Sequence, residues 1–420
     1  MVADVRNPFT PTFGVTPPLL VGRDLDVQRV VDSFDASVGD PYRAVKVLGL
    51  RGSGKTVFLN RIEDEARRRG WAVISETTRS GLAERLTSTV LPRLLADLDP
   101  DASSSTITKG SISTPVGGLG IDRAHQVRYH PVEDLRTQVT RLADLQDGQG
   151  AGLLITVDEI NPSAVDDLRE LTQVVQHCFR EGRQVAFACA GLNIHVRELI
   201  DADGMTFLRR AEEVALGPIG VDDVRRGLVE PLRTWGRDID AAAADVAAAG
   251  AKGYPFMIQA IGYRLWATAP ADGVITIDLA EVAVAHATRR MGELVLRPEL
   301  RALSKIDRSY LAAMAVDDGP SRTRDIAARL GVNPQYASAY RQRLISADLI
   351  TEAGYGYVDF TLPTLRDYLI DHAVTETSGD TLAAADQAAT LAATRHPGTA
   401  DERRSPPDVL EPPSPPPRTP

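Results

Sequence analysis

The sequence predicts an α/β fold: a parallel sheet covered by helices, followed by an all-helical segment and a C-terminal helix-turn-helix module with a hairpin. Three observations predict it. From residue 44 to about 217, short apolar runs alternate with helix-like stretches, the pattern of strand-helix-strand units. The first run, Ala44-Val45-Lys46-Val47-Leu48, opens directly into Gly49-Leu50-Arg51-Gly52-Ser53-Gly54-Lys55-Thr56. A later run, Leu153-Leu154-Ile155-Thr156-Val157, ends in the acids Asp158-Glu159.

The segment from Gly49 to Thr56 is G-x-x-x-x-G-K-[ST] between a strand and a helix, the context that a phosphate-binding loop requires. Gly49, Gly52, Ser53 and Gly54 allow backbone N–H groups to turn inward around phosphate oxygens, and the helix N-terminus adds positive dipole. Lys55 is placed to reach the β- and γ-phosphates, and Thr56 to put its hydroxyl on Mg²⁺. Only five of the 47 basic residues are lysines, so Lys55 stands where a compact ammonium rather than a planar fork suits the chemistry. The expected ligand is a nucleoside triphosphate.

The remaining elements follow in order. Residues 1–18 are rich in proline, with Phe9 and Phe13 as anchors for an extended arm. A short helix is expected from Val21-Gly22-Arg23 to Phe34. After the phosphate loop come a helix ending at Gly70, a strand at Trp71–Ser75, and helix over Leu82–Leu98. The Ser/Thr/Gly-rich insertion of residues 99–130, with Gly117-Gly118-Leu119-Gly120, reads as a loop. Asp158, at the carboxyl edge of a buried strand, is placed to hold Mg²⁺, and Glu159 to orient an attacking water. After a helix to Arg180 and the strand Gln184–Ala190, Asn193 falls near a γ-phosphate, where its amide senses the phosphate or else serves as a turn or cap residue. Arg209 and Arg210 precede the last strand, Val214–Leu216, either as fingers into a neighbouring subunit's nucleotide or as solvated surface arginines.

Helices are expected at Val224–Leu232, Ala241–Ala249, Pro255–Trp266 and Leu279–Arg290, with Pro255 at a helix start where it also offers an apolar edge to a purine. From residue 300, helices at Ser309–Ala315, Ser321–Leu330 and Gln335–Ala347 are joined through the turn Gly331-Val332-Asn333-Pro334. Strands at Leu349–Thr351 and Tyr357–Phe360 bracket Gly354-Tyr355-Gly356, as in the wing of a winged helix. Between Ile326 and Ala347 there are three arginines and no acids. That local excess marks Gln335, Tyr336, Arg341 and Arg343 as candidate contacts to duplex DNA, although winged helices also bind proteins. From Pro397 onward nine of 24 residues are proline, which predicts disorder over 373–420.

Composition limits the alternatives. A chain of 420 residues holds two or three domains, and 43% hydrophobic with 25% charged residues is the balance of a soluble globular protein. No apolar run reaches the roughly eighteen residues of a membrane span, and the N-terminus lacks a charged-then-apolar signal, so a cytoplasmic protein without membrane contact is expected. Cys178 and Cys189 have no paired-ligand spacing, which argues against disulfides and zinc. A net charge of −10 confines any nucleic-acid contact to a local patch.

Over about residues 17 to 371 these blocks resemble the AAA+ superfamily, in the branch of archaeal-type and origin-recognition-like ATPases and the related STAND signalling ATPases. Leu20-Val21-Gly22-Arg23 is similar to that family's "VGR" box beside adenine, Gly49–Thr56 to Walker A, Asp158-Glu159 to Walker B and Asn193 to the first sensor. Arg209 or Arg210 falls where initiator-type members carry an arginine finger, and Gly253-Tyr254-Pro255 is similar to the STAND G-x-P motif. The pattern departs at the second sensor, where only Arg264 is available, and at the first, where many STAND proteins carry arginine. The resemblance implies an arm (1–18), an ATPase α/β domain (19–218), a helical lid (219–295), a winged helix (296–372) and a tail (373–420). It also implies ATP and Mg²⁺ as ligands, ATP hydrolysis to ADP, and self-association or a protein partner.

Overall fold

Five strands form one parallel sheet: β1 Ala44–Leu48, β2 Ala72–Thr77, β3 Leu153–Ile160, β4 Val185–Gly191 and β5 Glu212–Ala215, in the order β2-β3-β4-β1-β5. The computed structural model describes residues 7–12, 14–98, 133–269 and 273–373. Phe13, the glycine cluster Gly117–Gly120 with its insertion, and the tail beyond Ala373 lie outside the described residues. Two compact units divide the chain at Tyr368 and Leu369, the second described only to the end of the helix Pro363–Ala373.

β1 and β4 are buried along their whole length, which is why β4 is a continuous apolar run and β1 departs from one only at the buried Lys46, whose ammonium donates to the Ala211 carbonyl. One apolar cluster joins one face to the helices Leu135–Asp147 and Val165–Arg180; the other joins the opposite face to Asp24–Asp35 and Lys55–Arg68. Because β4 lies between β1 and β3, the phosphate loop, the acids and Asn193 leave three neighbouring strands at one edge. The β3–β4 register passes from Val157↔Cys189 to Ile160↔Gly191, so β3 carries one extra residue at Asp158-Glu159.

The expected helix over Leu82–Leu98 is interrupted: Leu82–Arg85 and Leu91–Leu98 flank a π-turn, Leu86–Val90. A second π-turn, Gly292–Leu296, precedes the helix Arg297–Arg301. Each lies just before a proline, Pro92 or Pro298, which lacks an N–H and crowds the carbonyl four residues earlier, and the widened turn relieves that clash.

The lid helices are Val221–Thr234, Ala241–Ala251, Pro255–Thr268 and Ile277–Met291, with a short parallel pair, β6 Asp238–Ile239 and β7 Val274–Ile275, that the sequence reading missed. The C-terminal module contains helices Lys305–Ala315, Thr323–Arg329 and Pro334–Ser346 and an antiparallel sheet, β8 Ser321–Arg322, β9 Ile350–Glu352 and β10 Tyr357–Phe360, in the order β8-β10-β9. The first of these helices starts earlier than expected because Ser304 and Asp307 form a capping box. The second starts later because Ser321 and Arg322 pair with Val358 and Tyr357. Among the described residues no helix is long and apolar enough to cross a membrane.

Candidate nucleotide-binding site

A cleft of about 610 Å³ lies at the carboxyl edge of the sheet, between the phosphate loop, the lid helix Pro255–Thr268 and the N-terminal arm. The loop geometry follows from its glycines. Gly52 and Gly54 take φ values of 80° and 95°, in the region that only glycine enters freely. Gly49 is constrained by contact instead, since a Cβ there would lie 2.4 Å from Ser53 Oγ. That Oγ is buried without a hydrogen-bond partner.

Lys55 Nζ donates to the carbonyls of Gly49 and Leu50, both at 2.8 Å. Burial lowers its pKa from 10.5 to about 8, opposed by Asp158 and, more weakly, by Glu159 and Asp348, while Arg51 lowers it further. Thr56 Oγ1 donates to Asp158 Oδ2 at 2.6 Å, so the two residues expected to hold a cation are in contact. This pair offers the hard oxygen donors that suit Mg²⁺, with remaining positions left to phosphate and water. Among the described residues no three His, Cys, Asp or Glu side chains form a metal cage.

Glu159 is exposed at the bulge with φ 53°, unusual for a residue with a side chain; its N–H donates to Asp158 Oδ1 at 2.8 Å and its carbonyl accepts from Asn161 Nδ2 at 2.9 Å. Asn193 begins the helix Asn193–Asp201 after β4. Its neighbours Leu192 and His195 line the cleft, whereas Asn193 itself meets Asp348 of the C-terminal module.

Arg23 lines the cleft but is tied away from it, its guanidinium donating to the Gly217 carbonyl, and Gly22 both takes φ 66° and leaves no room for a Cβ, which would lie 2.7 Å from Ile219. Pro255 and Phe256 form the lid wall. Tyr254 packs its ring against Gly52, where a Cβ would lie 3.2 Å from it, and burial pushes its hydroxyl above its usual pKa. Gly253 closes the lid onto the sheet, its carbonyl accepting from Ile219 N–H at 2.8 Å. Arg210 is exposed and outside the cleft, and Arg209 donates to the Ile200 carbonyl at 2.7 Å. Arg264 does not line the cleft and instead lies beside His286, whose pKa it helps to lower after the larger effect of burial.

The sequence reading missed the arm's part in the site. Phe9 is 2% exposed, its ring seated over Gly262, and Thr10 N–H donates to Gln259 Oε1 at 3.1 Å. Thr10 and Gln259 both line the cleft. One signal was available: Gln259 lies four residues after Pro255, on the same helix face.

The arginine-rich stretch of the C-terminal module is neutralised in three dimensions. Arg329 pairs with Asp317 at 2.6 Å and Arg341 with Glu352 at 2.7 Å, while Arg343 pairs with the buried Asp307 and lies over the Tyr340 ring. Gln335, Ser338 and Gln342 are exposed; Tyr336 is half-buried, its hydroxyl accepting from Tyr340 at 3.0 Å.

Residues 19–186 match the AAA ATPase domain family, and residues 293–369 match a domain of unknown function, DUF8462. No curated protein matches the chain by sequence. Among solved structures, the Walker-type ATPase PABY2304 of Pyrococcus abyssi is similar at 16% identity and a TM-score of 0.53, covering 83% of this chain and 96% of that one. The ADP form of the Aeropyrum pernix ORC2 protein has 18% identity and a TM-score of 0.49, covering 88% and 98%. The ORC1 protein of the same organism, solved in complex with DNA, has 15% identity and a TM-score of 0.37, covering 86% and 95%. Residues 19–186, which hold the phosphate loop and the acids closing β3, thus match an AAA ATPase domain, and the five-stranded sheet has the α/β fold of the P-loop AAA+ ATPases.

Proposed function

We propose that the protein is an ATP-dependent switch whose nucleotide, bound with Mg²⁺ between the α/β domain and the helical lid, sets the position of a C-terminal winged helix. The observation that carries this is the Thr56–Asp158 contact at 2.6 Å beside a Lys55 already folded onto the phosphate loop. A bound Mg·ATP supplies the electrophilic phosphorus and its leaving group. Lys55 binds the β- and γ-phosphates, Thr56 and Asp158 hold the cation, Glu159 orients water, and Asn193 directs its amide to the terminal phosphate. Arg210, exposed just ahead of the edge strand β5, is free to serve a neighbouring subunit. Lys55→Ala is expected to abolish ATP binding by calorimetry; unchanged affinity overturns the proposal. Glu159→Gln is expected to keep ATP and lose phosphate release.

The module's helix-turn-helix and hairpin support a winged helix that meets duplex DNA through Gln335, Tyr336, Arg341 and Arg343. Binding is then salt-sensitive in a mobility assay and weakened by Gln335→Ala. The pairing of Arg329, Arg341 and Arg343 with acids favours a second reading, in which this face binds a protein partner as in STAND signalling ATPases. Absence of any shift at low salt, with and without ATP, decides for it.

A further inference from the structure

Asp348 follows the helix Pro334–Ser346 of the C-terminal module and occupies the left-handed region with φ 56°, where glycine or asparagine sits more easily. Its N–H donates to the Ile345 carbonyl at 3.0 Å, so the backbone turn needs no carboxylate. The carboxylate is directed instead at the ATPase domain: it faces the Asn193 side chain, the N–H groups of Asn193 and Ile194, and the charge of Arg197. One carboxylate oxygen, Oδ2, is buried with no hydrogen-bond partner. Burial accordingly raises the Asp348 pKa, with Asn193 and Arg197 opposing. The same carboxylate is within electrostatic reach of Lys55. An acid of the C-terminal module thus sits, incompletely satisfied and in a costly backbone conformation, on Asn193, the second residue after β4.

We propose that Asp348 is an autoinhibitory latch: it holds the C-terminal module against Asn193 and competes with the terminal phosphate of ATP for that residue. The proposal rests on the switch reading above, in which Asn193 serves the terminal phosphate. A triphosphate on Lys55 brings several negative charges into the region where the Asp348 carboxylate acts, and like charges in a partly desolvated cleft repel strongly. Only a ligand reaching Asn193 gains from release of the latch, so ATP and ADP differ in their effect on the module. By reciprocity, whatever draws the module away strengthens ATP binding by the same factor.

The test uses the full chain carrying Gln173→Cys and Ser338→Cys, both at exposed positions, labelled for energy transfer; the native Cys178 and Cys189 are buried. Asp348→Asn removes the charge at a position that tolerates asparagine, and Asp348→Gly removes the side chain where glycine suits the backbone. Without nucleotide, both variants are expected to show the transfer that the unsubstituted protein reaches only with a non-hydrolysable ATP analogue. They are expected to bind that analogue about tenfold more tightly, with ADP affinity changed less than about twofold. If the analogue shifts transfer in the parent and both variants keep the parent's nucleotide-free transfer and affinity, the latch is overturned while the switch stands. If the analogue leaves the parent unmoved and the variants differ from it in transfer but not in affinity, Asp348 holds the module without competing with nucleotide, and both the competition and the nucleotide switch are overturned.

Discussion

Thr56 Oγ1 donates to Asp158 Oδ2 at 2.6 Å, joining the first turn of the phosphate-loop helix to the end of a strand that is not its sheet neighbour. The contact fixes the separation of two oxygen donors before any ligand arrives. Thr56→Val removes one donor and leaves Asp158 Oδ2 without that partner, while Oδ1 keeps the Glu159 N–H. Calorimetry with and without Mg²⁺ is expected to show that the cation no longer strengthens ATP binding, with turnover reduced by about 10²-fold or more. Retained Mg²⁺ dependence would remove Thr56 from the cation site.

Lys55 carries a pH signature. Its folded pKa of about 8 lies below the ordinary 10.5, so between these values the unfolded chain binds more protons than the folded one. Stability of the nucleotide-free protein gains a rising contribution from pH 8 to 10.5, and below pH 8 the burial penalty is fully present. ATP affinity is expected to fall as pH passes about 8, because the ammonium that the phosphates need is then lost. Lys55→Met should flatten the stability slope in urea titrations at a series of pH values.

Glu159 sits at φ 53° on the β3 bulge, a conformation that costs a side-chain residue about 1 kcal/mol or more. Glu159→Gly is expected to leave the fold equally stable or to stabilise it slightly, while phosphate release stops. Loss of both stability and turnover would mean that the side chain is structural.

Arg343→Ala leaves Asp307, only 5% exposed, without its cation, whereas Arg341→Ala breaks a pair whose acid is 65% exposed. Denaturant melts are expected to show a loss of about 1–2 kcal/mol for the first, the open side of the pair tempering the cost of the buried acid. For the second, ~0.5 kcal/mol or less is expected. A DNA assay with Arg343 variants must therefore control for folding, and Gln335→Ala avoids the problem.

Gly262→Ala places a Cβ within 2.3 Å of the Phe9 ring and is expected to undock the arm. ATP affinity should fall because Thr10 leaves the cleft wall, and proteolysis near the N-terminus should accelerate. An unchanged cleavage pattern would show that the arm repacks.

The chemistry of the phosphate loop was legible because it is local: glycines, lysine and threonine act within one strand-loop-helix unit, and the inner strands of a doubly covered parallel sheet must be almost wholly apolar. Asp158 was legible for the same reason, as the polar end of such a strand. The π-turns were in principle legible from Pro92 and Pro298, but a proline near a helix start reads equally well as ordinary capping. The arm's place beside Gln259 was not legible, since nothing in an extended proline-rich segment says which surface it covers.

The C-terminal arginines mark the boundary between the two kinds of information. Sequence alone determined that Arg329, Arg341 and Arg343 lie in an acid-free stretch of a helix-turn-helix, and that Lys55, Thr56 and Asp158 have the chemistry of a nucleotide site. Tertiary structure alone decided that Asp317, Glu352 and Asp307 neutralise those arginines, and that Asp348 turns towards Asn193. The reason is physical: a backbone pattern and a motif are fixed by neighbours in the chain, whereas charge acts through space, and its effect is set by whichever groups folding brings within a few ångströms.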